Sequence, residues 1–236
     1  MLSNTSTAVL IFTRNAVEEA DSKRLHRNLR KGSLVAAELI KHTHKTVRRT
    51  GLPFFTVTEQ VGESFGERIS HAFREIFDQG FDRVIAVGND SPDLHARHIL
   101  QAHEQLNKHQ FVLGPAKDGG LYLIGIDRDA FDEEELQNLP WRQAHLFDDF
   151  RNQIACKGQA VFISATVLTD IDSHFALQYF LHHRSGHTKV LIQKLRSILS
   201  PRLISKQGKR GKLRWREIGS TALRAPPSWP RGLLPF

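Results

Sequence analysis

The 236-residue chain is 40% hydrophobic and 25% charged, which supports one sizeable core plus an appendage and excludes wholesale disorder. No apolar run approaches the ~20 residues of a membrane-spanning helix, the first residues lack the basic-then-apolar layout of a secretion signal, and Cys156 stands alone, so a cytoplasmic protein without an intrachain disulfide is expected. The formal charge of +8 is concentrated in residues 186–236, where twelve Lys or Arg face a single acid, Glu217, so residues 1–185 are mildly acidic and overall charge does not define the ligand of the body.

Along the chain, residues 7–13 (TAVLIFT) are the near-continuous apolar run of a strand buried on both faces. A polar, charge-rich stretch at 14–32 follows. Residues 33–49 carry Leu34, Leu39, Ile40 and Val47 at helical spacing behind a capping Ser33. A strand at 53–58 leads to an amphipathic helix at 67–79, through Ile69, Ala72, Phe73, Ile76 and Phe77, and Gly80 stands where a helix stops. Residues 83–87 (RVIAV) form another strand, ending in the turn Gly88-Asn89-Asp90-Ser91-Pro92-Asp93, with Pro92 expected to open a helix. Strands at 110–113 and 121–126 flank Asp118-Gly119-Gly120. Residues 129–154 read as mostly helical with a break at Pro140, 160–168 as the last strand and 172–183 as its helix.

Alternation of strands and helices at this spacing predicts a three-layer α/β/α sandwich with a mainly parallel sheet over residues 1–185. Residues 186–236 read as a basic C-terminal extension, helical to about residue 199 and then loosely ordered with a Pro-rich end.

In such sheets ligands bind outside the carboxyl ends of the strands. Three acidic turns fall there: Asp90, Asp118, and Asp170 with Asp172. An acid held between a strand and a helix suits a hard cation, although Asp90 or Ser91 serves equally as a helix cap. The paired glycines Gly119 and Gly120 let backbone approach a ligand and offer amides to anionic oxygens, or else make an ordinary Asp-Gly turn. Among the 13 histidines, His95 and His98 lie one helical turn apart and His182, His183 and His187 cluster. Without an HExxH pattern they read as solvated helix faces, and Phe73 and Phe77 read as core.

The segments GNDSPDL and LGPAKDGGLYLIGI, in this order and at this separation, resemble a bacterial family of GT-A-type glycosyltransferases (DUF2064-like), which carries Gly-x-Asp-x-Pro-x-Leu and then Gly-Pro-x-x-Asp-Gly-Gly-Tyr. The family is more distantly similar to phospholactate guanylyltransferases and molybdenum-cofactor nucleotidyltransferases. Further matches are Phe12 and Arg14, the run Phe65-Gly66-Glu67-Arg68, Trp141, and Leu168-Thr169-Asp170-Ile171-Asp172, so the resemblance spans about residues 7–183.

The resemblance implies a nucleotide-diphospho-sugar transferase fold whose donor diphosphate is bridged by Mg²⁺ or Mn²⁺. It assigns Asp90 as principal metal ligand, with Asp172 or its competitor Asp170 as the second acid. Phe12, Arg14, Lys23, Arg24, Arg68, Gly119 and Gly120 become the nucleotide-binding residues. An inverting transfer also needs an acceptor-facing base, a carboxylate or His, for which Asp118 is the candidate.

One loop departs from the pattern. Where the family follows its first strand with Pro-x-x-Gly-x-x-Lys-Thr-Arg-Leu, this chain has Ala16, Glu19, Ser22, Lys23, Arg24 and Leu25, placing Glu18 and Glu19 near the expected phosphates. The expected activity is transfer of a sugar from a nucleotide-sugar to a small-molecule acceptor. The alternatives are a nucleotidyltransferase consuming a nucleoside triphosphate, and a protein whose basic tail engages nucleic acid or another anionic surface.

Overall fold

The computed structural model describes residues 6–183 and 188–200. Strand β1 (Thr7–Phe12) is buried at all six positions, as its unbroken apolar run requires. Asn15 then accepts hydrogen bonds from the amides of Val17 (3.1 Å) and Glu18 (3.0 Å), starting helix α1 (Ala16–Ser22) inside the stretch that reads as merely polar. The helix buries only Glu19 and Ala20, so no apolar stripe announces it. Helix α2 (Leu29–Arg48) begins ahead of the expected cap. Asn28 caps it, and Ser33 bonds back to the Leu29 carbonyl (2.9 Å) from within the helix.

Strand β2 (Phe54–Val57), helix α3 (Phe65–Asp78, capped by Ser64) and strand β3 (Arg83–Val87) follow as expected. Helix α4 (Ala96–Gln105) starts after His95, so Pro92 lies in a preceding turn and neither Asp90 nor Ser91 is its cap. Strands β4 (Phe111–Pro115) and β5 (Leu121–Asp127) precede a 3-10 turn at Arg128–Ala130. The stretch expected to be largely helical then resolves into two separate helices, α5 (Glu133–Gln137) and α6 (Leu146–Cys156). Strand β6 (Val161–Ile163) is shorter than the expected 160–168, leaving Leu168 as an isolated bridge to Ala116. Helices α7 (His174–His183) and α8 (Lys189–Leu199) close the described chain.

The sheet order is β2-β1-β3-β5-β4-β6, and β5 runs against the other five strands. The reversal follows from the short connection 116–120. A parallel partner needs a crossover of a dozen or more residues, so a loop this brief returns the chain antiparallel.

One face of the sheet packs Leu10, Val84, Leu113 and Ile126 against α3 and α6, and the other packs Val9, Ile85 and Val112 against Val47 of α2 and Ile99 of α4. The result is the expected three-layer sandwich. Phe73 and Phe77 are core residues, as their spacing suggests.

A third cluster joins α1, α2, α7 and α8 through Ala20, Leu25, Leu39, Leu177 and Leu195. Because α8 buries Leu191, Ile192 and Leu195 there, the compact unit extends to Ser200, beyond the boundary expected at 185. Two of its bases are engaged within the body: Lys194 pairs with Glu38 (3.0 Å), and Arg196 donates to the Leu181 carbonyl. The rest of the extension, residues 201–236 with the Pro-rich end, lies outside the described residues. No described helix is long and apolar enough to cross a membrane.

Candidate active site

The carboxyl ends of β1 and β3 open into a cavity of about 400 Å³. Its floor is the turn Gly88-Asn89-Asp90 that leaves β3, and one wall is the end of β1 with α1. Asp118 and Tyr122 of the β4–β5 hairpin, Asp172 after the Leu168 bridge, and Trp141 with Arg142 complete the lining. All three acidic turns expected at strand ends therefore converge on one side of the sheet. The segment carrying Asp172 is held there by its backbone: the Ile171 amide donates to the Asp90 carbonyl (2.8 Å), and the Lys117 amide to the Leu168 carbonyl (2.9 Å).

Asp90 does not stand free. Its Oδ2 accepts from the Lys23 Nζ at 2.9 Å, and the same ammonium pairs with Glu19 one turn earlier on α1. Glu19 is 6% exposed, and its Oε1 also accepts from the Asn89 side-chain amide (3.2 Å). Burial raises the Asp90 carboxyl, but the adjacent Lys23 ammonium overrides it and holds the group below the usual carboxylate range. For Lys23 the balance is reciprocal. Burial lowers it, and Asp90 and Glu19 together drive it well above an ordinary lysine.

Asp170 and Asp172, alternatives in the sequence, separate clearly. Asp172 lines the cavity, whereas Asp170 is turned to accept from the Ser91 hydroxyl. Burial, and then the Asp90 charge, push Asp170 up to about 7.

These residues test the expected divalent ion. Among the described residues no group of three His, Cys, Asp or Glu side chains is placed to hold a metal. The carboxylate of Asp90 at the strand end is already neutralised by an ammonium. Asp90 and Asp172 both line the cavity, but the place on Asp90 that a divalent ion would take is held by the Lys23 ammonium.

The other expected residues divide. Phe12 and Arg14 line the cavity, and Arg14 also borders two further depressions. Arg68 borders only those depressions and is occupied structurally, donating to the carbonyls of Gly62 and Glu63 (2.8 Å each). Arg24 follows the end of α1 with φ 47° and lies outside the cavity lining.

The glycine turn does not offer its amides to a ligand. Gly119 N donates to the Ala116 carbonyl (3.2 Å) and Gly120 N to Asp118 Oδ1 (3.0 Å). Glycine at 119 answers a packing need instead: φ is +87°, and a Cβ there would lie 1.7 Å from the Ala144 carbonyl oxygen. Asp118 itself lies on the cavity lining.

Sequence reasoning missed several lining residues. Gln60 reaches in from the loop after β2 and donates to the Thr13 carbonyl (3.0 Å). Arg142 has φ 66°, rare for a side-chain-bearing residue, and lays its guanidinium 5.5 Å from the centre of the Phe65 ring. The Phe65 ring meets Phe12 edge-on (5.6 Å) and leans on Trp141 (5.0 Å), making an aromatic wall on the cavity lining. Only Trp141 and Phe65 had a signal, through the resemblance. Among the described residues no histidine lines the cavity. His98 is 6% exposed and packs beside Tyr122 (6.0 Å) rather than facing solvent, and His182 and His183 bond back to their own helix.

A mixed sheet of this order, with acids and aromatic residues gathered at the carboxyl edge, defines the nucleotide-diphospho-sugar transferase fold. A protein of Desulfovibrio desulfuricans G20, described as a candidate nucleotide-diphospho-sugar transferase, superposes with TM-score 0.68 at 19% identity, over 82% of this chain and 96% of its own. The chain belongs to the family described as uncharacterized proteins conserved in bacteria (DUF2064), whose family pattern matches residues 26–143.

Looser similarity links it to Rv0371c of Mycobacterium tuberculosis H37Rv, solved as a complex with manganese (TM-score 0.47, 10% identity, 76% of this chain and 100% of that one). It extends to the 4-diphosphocytidyl-2C-methyl-D-erythritol synthase of Anaerococcus prevotii DSM 20548 (TM-score 0.45, 11% identity, 83% and 98%). No curated protein matches the sequence.

Proposed function

We propose that the protein is a transferase that takes a nucleotide-diphospho-sugar in the cavity at the ends of β1 and β3 and passes the sugar to a small-molecule acceptor. The observation that supports this most directly is the polarity of that cavity. Phe12, Phe65 and Trp141 form an apolar wall suited to the flat faces of a base or sugar. Arg14 and Arg142, beside that wall, make no ion pair among the described residues and carry the forked donors that match phosphate oxygens. Asp118 is a carboxylate on the cavity lining that can take the proton of an attacking acceptor hydroxyl.

A leaving nucleoside diphosphate gains negative charge as the glycosidic bond breaks. Fixed cations placed before the reaction stabilise that charge without reorganising. Arg14 and Arg142 supply that positive charge at the cavity, while Lys23, shared between Glu19 and Asp90, fixes the strand-end acid beside them.

The test is a thermal-shift screen of nucleoside diphosphates, nucleotide-sugars and nucleoside triphosphates, since a ligand bound by the native state alone raises the melting temperature. Nucleotide-sugars are expected to stabilise the protein and, with an acceptor, to release nucleoside diphosphate. Release of pyrophosphate from a triphosphate would instead identify a nucleotidyltransferase. Asp90→Asn, which removes one partner of Lys23, is expected to lower turnover by at least about tenfold while the circular dichroism spectrum persists. Full activity in that variant would remove the site assignment.

A further inference from the structure

Lys23 occupies the position that a cation would take on Asp90, and the surroundings oppose its leaving. Its side chain is 13% exposed and lies between two carboxylates, Asp90 at 35% and Glu19 at 8%. Glu19 is fixed from behind by the Asn89 amide (3.2 Å), and Asn89 is itself buried. Were Lys23 to swing out, Glu19, only 8% exposed on the cavity lining, would lose its counter-ion and keep one neutral hydrogen-bond donor, a poorly compensated charge. A divalent ion competing for Asp90 has to meet that cost as well as its own dehydration. Among the described residues Arg14 and Arg142 make no ion pair and so carry the positive charge not consumed by acids.

We propose that Lys23, clamped between Glu19 and Asp90, is the built-in cation of this site and excludes a divalent ion from Asp90. This deepens the functional reading of the same cavity and rests on it for its relevance to catalysis. The clamp itself is measurable without substrate, so a protein with no transferase activity still tests it.

The measurement is titration of Mn²⁺ alone into the full-length protein, with free ion followed by electron paramagnetic resonance. Wild type and Asp90→Asn are expected to give the same weak binding. Lys23→Gln, which removes the ammonium that competes with the metal for Asp90, is expected to gain a saturable site at least about tenfold tighter. The double variant Lys23→Gln with Asp90→Asn should lose that site, and Lys23→Arg, which keeps the charge, should not acquire it. An Asp90-dependent Mn²⁺ site in the wild type would overturn the proposal. So would a folded Lys23→Gln that gains none. If Lys23→Gln fails to fold, the comparison of wild type with Asp90→Asn decides the matter.

Discussion

At the scale of single residues, two neighbouring acids respond to burial in opposite ways because only one of them has a cation. Asp90 meets Lys23 and is held down; Asp170 meets the Ser91 hydroxyl and feels the Asp90 charge, and burial with that charge lifts it to about 7. An unfolded aspartate titrates near ~3.9. Between roughly pH 4 and 7 native Asp170 therefore holds a proton that the unfolded chain has released, and its contribution to stability falls as pH rises through that window.

Asp170→Asn removes this dependence while keeping an acceptor for Ser91. The variant should gain on wild type as pH rises from about 4 to about 7, at no more than about 1.4 kcal/mol per pH unit, the limit for one proton. Urea denaturation at several pH values checks this. A constant difference between the two proteins would show that Asp170 ionises normally. Asp90 has the opposite sign: its contribution is present above the unfolded pKa and is lost as pH falls through its depressed native value.

At the scale of elements, the hairpin between β4 and β5 shows how a glycine pair can serve packing within a turn rather than the neighbouring cavity. Asp118 does line the cavity, but Gly119 and Gly120 do not: their amides close the turn, and Gly119 admits the Ala144 carbonyl. Gly119→Ala is expected to cost at least about 3 kcal/mol, combining a left-handed backbone with a carbonyl that has to move. Gly51 provides the comparison. Its φ is +73° and no atom lies within 4 Å of where a Cβ would stand, so Gly51→Ala should cost only about 1 kcal/mol. Equal losses in chemical denaturation would mean that the Ala144 contact is immaterial.

Helix α1 teaches a different point. With Glu19 and Ala20 its only buried residues, no hydrophobic period marks it, and only packing against α2 turns a polar stretch into the helix that aims Glu19 and Lys23 at Asp90.

At the scale of the whole molecule, the C-terminal bases first suggested an extension beginning near residue 186. The apolar face of α8 contradicts that boundary. Leu195 is fully buried against α2 and α7, so Leu195→Ala should destabilise the protein by about 2–5 kcal/mol in equilibrium unfolding. A loss below about 0.5 kcal/mol, the range of surface substitutions, would show that α8 is not part of the core.

The sequence by itself determined the layers of the fold, because apolar runs such as 7–13 and 83–87 are buried on both faces and demand helices above and below. It also determined that Asp90, Asp118 and Asp172 would meet, since each follows or adjoins a strand whose carboxyl end lies on one edge of a parallel sheet. Charge pairing was decided only in three dimensions. That Lys23 rather than an open cation position faces Asp90, that Asp170 turns to Ser91, and that Arg142 is bent over Phe65 all depend on side chains far apart in the chain. Distances of a few ångströms between such groups set their electrostatics, and local sequence patterns carry no record of them.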